Sequence, residues 1–162
     1  MKYKSSDLAI IIPSINKKNV KKILNSIKKQ TKKPCQTIFV FNSKTNFKSN
    51  KKFIFVYTKI SNQVHQRNLG LKLMNKKIKL ILQLDDKFYL HKNAIENLIK
   101  EWNNSSDKVA GIGIKTNFKY ENVNKFKLAK YVTLTGSNHP GKVLKSGFNN
   151  KLISSKKIID VD

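Results

Sequence analysis

Two adjacent carboxylates, Asp85 and Asp86, close the apolar run 78–84 (IKLILQL) in a chain with 34 Lys and Arg residues against 9 Asp and Glu. Open α/β sheets place their ligand sites outside the carboxyl ends of strands, which is where an acid pair after a buried strand would stand. Two neighbouring carboxylates repel each other unless a cation or hydrogen-bond donors hold them. A divalent metal carrying a diphosphate would do this, because hard cations take oxygen ligands and bridge phosphates. The alternative is a strand that ends in a solvated turn, where Asp is a common residue. Arg67 is the second candidate. It is the only arginine among lysines, and its planar fork could clamp a phosphate or make a structural salt bridge.

The elements that must position these groups are legible as hydrophobic runs. Residues 8–12 (LAIII), stopped by Pro13, read as a buried strand. Residues 19–30 place Val20, Ile23, Leu24 and Ile27 at helical spacing with lysines opposite. Residues 37–41 (TIFVF) and 53–57 (FIFVY) form the second and third strands, whose aromatic residues are expected in the core. Residues 63–74 are read as a helix carrying Leu69, Leu71 and Leu73, which Gly70 weakens. The run 78–84 is the fourth strand. Residues 93–102 form an amphipathic helix with Ile95, Leu98, Ile99 and Trp102 facing inward, and 109–114 (VAGIGI) a fifth strand whose glycines allow close backbone approach. Short strands are expected at 131–135 and 143–145. The order β-α-β-β-α-β-α with apolar strands predicts an α/β fold with a mainly parallel sheet and helices on both faces.

Composition narrows the function classes. The 162 residues suit one domain with a real core. The net charge of +25 is carried almost wholly by dispersed lysine, whereas proteins that read phosphates and guanines favour arginine. No specific nucleic-acid partner is expected. Peripheral contact with an anionic membrane is, because lysines near such a surface contribute about 1 kcal/mol each. A lone Cys35 offers no disulfide framework, and no Cys/His spacing suggests zinc. The N-terminal apolar run is too short for a signal peptide and nothing approaches a membrane span. A cytoplasmic setting, at the inner face of the membrane where peripheral, is the expectation.

Five short motifs in order resemble glycosyltransferase family 2. Pro13-Ser14-Ile15-Asn16 resembles its Pro-x-Tyr-Asn loop, with Ile15 for the aromatic. Ser26, Gln30-Thr31 and Pro34 are similar to its Ser-Leu-x-x-Gln-Thr-x-x-Pro segment. Phe41-Asn42-Ser43 stands where relatives carry an Asp, Arg67-Asn68-x-Gly70 matches Arg-Asn-x-Gly, and Leu84-Asp85-Asp86-Lys87 falls at the Asp-x-Asp position.

The resemblance covers residues 7–115. It implies a GT-A, Rossmann-like nucleotide-diphospho-sugar transferase fold and transfer of a sugar, with inversion, from a nucleotide-sugar donor to an acceptor hydroxyl. The acceptor would be a carbohydrate or lipid-linked, and the setting glycan or cell-surface polysaccharide synthesis. Donor contacts would fall to Pro13, Ser14, Asn16, Asn42, Arg67 and Asp85, and a divalent metal, Mg²⁺ or Mn²⁺, to Asp86. Lys87 departs from the family, where many relatives have a third acid that binds the metal. Two unit charges 4 Å apart at an effective dielectric near 20 repel by about 4 kcal/mol, and a cation beside a dication by more, so Lys87 must point away or contact the diphosphate itself. The later acids Glu121, Asp160 and Asp162 stand in no recognisable catalytic-base motif. Residues 1–162 are therefore read as a single domain incomplete at its C-terminus, with a nucleotide-sugar-binding half at 7–115 and the start of an acceptor-side region at 116–162. A degenerate, non-catalytic nucleotide-binding module, or a truncated fragment of such an enzyme, is the alternative.

Overall fold

In the computed structural model, residues 2–15 and 17–113 are described. Four strands, β1 (Leu8–Ser14), β2 (Gln36–Phe41), β3 (Phe53–Tyr57) and β4 (Leu80–Gln83), form a sheet of order β3-β2-β1-β4. Every pairing is parallel, with Ile10 opposite Thr37 and Leu82, and Phe39 opposite Phe55. Three α-helices accompany it among the described residues: α1 (Lys17–Lys28), α2 (Gln63–Leu73) and α3 (Ala94–Asn104).

Strand periodicity assigns the two faces. Leu8, Ile10 and Ile12 join Phe39, Phe41, Leu80 and Leu82 in one buried cluster with Val20, Ile23 and Ile27 of α1 and Ile95 and Ile99 of α3. Each such side chain contributes about 1.5–3 kcal/mol when fully removed from water. Phe55 and Phe47 extend this face as a stack on Phe39 and Phe41, with ring centroids 5.2–6.4 Å apart. The alternate residues Ala9, Ile11, Ile38 and Val40 are equally buried but face α2, which packs on β1 and β2.

Helix α2 approaches closely because of Gly70. A Cβ there would stand 2.6 Å from Ile11 Cγ2, well inside van der Waals contact. The residue that weakens the helix by propensity is thus the one that seats it. Its buried residues are Gln66 and Gly70, one turn apart, whereas Leu69 and Leu71 are partly buried and Leu73 is exposed. The leucines repeat every second residue, so they cannot share one helical face.

Several sequence expectations need correction. Pro13 does not end β1, which runs on to Ser14. Leu84 N–H donates to Ile11 O (3.1 Å) and Cys35 N–H to Leu8 O (2.9 Å), so odd residues of β1 turn their backbone towards β4 and even ones towards β2. The pairing with β4 stops at Ile11–Gln83, and the missing N–H of Pro13 faces the side beyond it, where no ladder bond is lost. Strand β4 is shorter than expected and half-buried, with Ile81 and Gln83 exposed. The aromatics of β3 are only partly buried, and Tyr57 is exposed.

Residues 109–113 form no strand, and an added Cβ at Gly111 or Gly113 would meet nothing within 4 Å among the described residues. The short strands expected at 131–135 and 143–145, and Glu121, Asp160 and Asp162, lie outside the described residues. Among the described residues no helix is long and apolar enough to cross a membrane.

Candidate functional site at the carboxyl ends of β1 and β4

From β1 the chain adds β2 and then β3 on one side, and later places β4 on the other. The strand order therefore reverses between β1 and β4. In open parallel sheets the crevice at such a switch point is the natural ligand site. Ser14 ends β1 beside it, Asp85 and Asp86 leave β4 into it, and α2 brings its first two turns to the same edge.

Separate donors hold the two carboxylates. Ser14 Oγ donates to Asp86 Oδ2 (2.7 Å), and the Ile15 N–H reaches the same oxygen at 3.3 Å. On Asp85, Arg67 Nη2 stands 2.5 Å from Oδ1 and Gln63 Nε2 donates to that oxygen at 3.0 Å. The guanidinium also donates through Nη1 to Gln83 Oε1 (2.7 Å), on the last residue of β4. Gln63 and Arg67 are one helical turn apart, so they present their donors on the same face. The repulsion expected between neighbouring acids is relieved by sending one to the helix and the other to the end of β1.

The Arg67–Asp85 pair is only partly shielded, with side chains 24% and 42% exposed. Such pairs contribute about 0–1 kcal/mol, so its consequence is orientation more than stability. The turn after β4 is closed by Phe88 N–H donating to Asp85 O (3.1 Å). It leaves Lys87 exposed and in no ion pair among the described residues.

Of the residues singled out from sequence, Ser14, Arg67, Asp85 and Asp86 come together. Pro13 is buried one residue earlier in β1. Asn42 lies at the end of β2, where its Nδ2 donates to Ser61 Oγ (3.2 Å), just ahead of α2. Asn16 lies outside the described residues. His65 is partly buried, and its backbone N–H donates to the N-capping Asn62 Oδ1 (3.0 Å).

Three glutamines escaped sequence reasoning, and a fourth, Gln30, was read only as part of a family-2 segment. Gln63 and Gln83 complete the group around Asp85 and Arg67. Gln66, 2% exposed, donates from Nε2 to Val40 O (2.9 Å) and more weakly to Ser14 O (3.4 Å), tying α2 to the ends of β2 and β1. Gln30, also 2% exposed, donates to His91 O (2.7 Å) and accepts from Ile95 N–H (3.1 Å). Together with Thr31, whose N–H donates to Lys92 O (2.9 Å) and whose hydroxyl donates to Glu96 (2.8 Å), it clamps the segment that leaves the acid pair. Leu90 N–H donating to Ser26 Oγ (3.3 Å) completes this clamp. The usable signal was spacing: Gln63 with Arg67 and Gln66 with Gly70 form two adjacent i, i+4 stripes in one helix.

Comparison with known proteins adds a fold relationship. No protein-family model matches the sequence, and no curated protein does. Among solved structures, S. aureus TarS 1–349, a glycosyltransferase, superposes with a TM-score of 0.51 at 19% identity, over 70% of this chain and 40% of that one. The fold is glycosyltransferase-like. The chain spans about two fifths of the length of that neighbour.

Among the described residues no three His, Cys, Asp or Glu side chains gather into a metal cluster. A protein cage for a cation is therefore not built there. Two carboxylates at one crevice do fit the other mode, in which Mg²⁺ or a similar hard cation takes one or two protein oxygens and completes its shell with water and substrate phosphates.

Proposed function

We propose that residues 2–113 carry the donor-binding part of a glycosyltransferase that moves a sugar from a nucleoside diphosphate to an acceptor hydroxyl. The observation that supports this best is the grouping of Ser14, Arg67, Asp85 and Asp86 at the strand-order reversal of a glycosyltransferase-like fold. Asp85, held in place by Arg67 and Gln63, would accept from ribose hydroxyls. Arg67 has donors enough to turn towards a phosphate while Gln63 keeps Asp85 oriented. Asp86, its orientation fixed by Ser14 and the Ile15 N–H, would hold Mg²⁺ or Mn²⁺. Such a cation supplies stabilisation of the negative charge that builds on a departing diphosphate. The exposed Lys87 pairs with no carboxylate among the described residues and could meet the diphosphate directly.

Inversion, a carbohydrate or lipid-linked acceptor, and a place in cell-surface glycan synthesis at the cytoplasmic side of a membrane complete the proposal on the strength of the family-2 motifs. A non-catalytic nucleotide-binding module is the second reading, favoured by Lys87 at the third position of the acidic motif.

Calorimetric titration of the chain with UDP, GDP, CDP and dTDP, each with and without Mn²⁺, tests the shared claim. One-to-one binding of at least one nucleotide, tighter with the metal, is the expected result. Heat from none of them would remove both readings. Hydrolysis of the matching nucleotide-sugar, lost in Asp86→Asn, would then mark the enzyme; binding without turnover would mark the module.

A further inference from the structure

A second recess lies at the opposite end of the sheet from the acid pair, where β2 and β3 begin under the last turn of α1. It is a cavity of about 190 Å³ lined by Ile27, Lys28, Lys33, Pro34, Thr37, Lys52 and Phe53. At about 30 Å³ per water, it has room for about six water-sized groups. Three of its seven lining residues are lysines and none is an acid.

Thr37 contributes the decisive observation. It is fully buried, and its Oγ1 has no hydrogen-bond partner among the described residues. Buried hydroxyls are nearly always satisfied, and an exception calls for a cause. The residue is not there for want of a strand former, because valine has the same shape and carries no orphan group.

The lysines divide into two roles. Lys33 Nζ donates to Gln30 O (2.6 Å) and to Lys28 O, covering the carbonyls at the negative end of α1. That removes the feature that would otherwise repel an anion. Lys28 and Lys52 join no ion pair among the described residues, and Lys28 Nζ lies 5.8 Å from the centre of the Phe53 ring. Two ammonium groups outside any ion pair among the described residues, with a hydroxyl at one recess, match a doubly charged group with three acceptor oxygens better than a carboxylate with two. Ile27, Pro34 and Phe53 supply an apolar wall on which a carbon stem would rest.

We propose that this recess binds a phosphate monoester with a short apolar stem, through Lys28, Lys52 and the Thr37 hydroxyl, independently of the nucleotide site. The ester is the shared chemistry of a soluble metabolite and of an anionic lipid headgroup.

Titrating the ¹⁵N-labelled full chain with glycerol 3-phosphate and with monomeric dihexanoyl phosphatidate distinguishes the two sources. Saturable shifts at the Thr37 and Phe53 amides with either probe are expected, and the tighter probe identifies the source. Thr37→Val is expected to raise the thermal midpoint of the free chain while weakening the probe, because it removes the orphan hydroxyl and the contact together. Lys28→Gln with Lys52→Gln should weaken it by ~10-fold or more, since charge-assisted bonds are the strong ones. No shift at Thr37 with either probe, or unchanged affinity in both variants, would overturn the proposal. Neither result depends on whether UDP or another nucleotide binds at Asp85 and Asp86.

Discussion

The two faces of the sheet are built on different principles. Beneath α1 and α3 the contacts are apolar: Val20, Ile23, Ile27, Ile95 and Ile99 meet Ile10, Ile12, Phe39 and Phe41. Beneath α2 the buried helix residues are a glutamine and a glycine, and the same helix sends Gln63 and Arg67 to Asp85. One face holds the sheet together and the other connects it to the site. A helix seated by apolar side chains alone would have spent its inward positions on packing. By approaching closely through Gly70 and bonding through Gln66, α2 keeps its next stripe for polar groups at the crevice.

Substitutions on each face can break this contrast. The largest loss is expected on the apolar side. Phe39→Ala removes a fully buried ring stacked on Phe41 and Phe55 and should cost about 3–5 kcal/mol in a urea titration. That is a large share of the roughly 5–15 kcal/mol by which domains are stable.

Gly70→Ala comes next. Helix propensity alone would favour alanine by about 1 kcal/mol, yet the clash with Ile11 Cγ2 should make the net effect destabilising by about 1–3 kcal/mol. Adding Ile11→Ala should shrink the Gly70→Ala penalty, measured as a coupling in a double-mutant cycle; strict additivity would mean that α2 is not seated through this contact. A smaller loss, near the lower end of about 1–3 kcal/mol, is expected for Gln66→Leu, which leaves Val40 O without its amide donor. An unchanged urea midpoint would show that the carbonyl finds water instead.

The same contrast explains what could be read from sequence. Helices α1 and α3 and the strands were legible because their residues repeat with the period of a greasy face, as Val20, Ile23 and Ile27 do. Helix α2 was located, but its inward side was not legible, since hydrophobic periodicity is blind to a face made of Gln66 and Gly70. Residues 109–113 carry strand-like composition, yet their glycines meet nothing within 4 Å among the described residues; no short sequence window reports which neighbours a segment packs against. At the site, the acid pair and Arg67 were visible as chemical exceptions in a lysine-rich chain. What they touch was not, because bonds such as Ser14–Asp86 span 72 positions and depend on strand order. The Ser26, Gln30 and Thr31 motif was seen as a family likeness, and its physical content, a clamp on residues 90–96, emerged only from the contacts.

The central claim is that the crevice between the ends of β1 and β4 binds a nucleoside diphosphate. Calorimetry on Arg67→Met and Asp86→Asn, alongside their thermal unfolding, tests it most directly. Because the Arg67–Asp85 pair is partly exposed, its loss should lower stability by no more than about 1 kcal/mol. Nucleotide affinity should nonetheless fall by ~10-fold or more in both variants, as expected when a charge-assisted contact is removed, and Asp86→Asn alone should lose the enhancement by Mn²⁺. Affinity and metal response equal to those of the unmodified chain, in folded variants, would contradict the account.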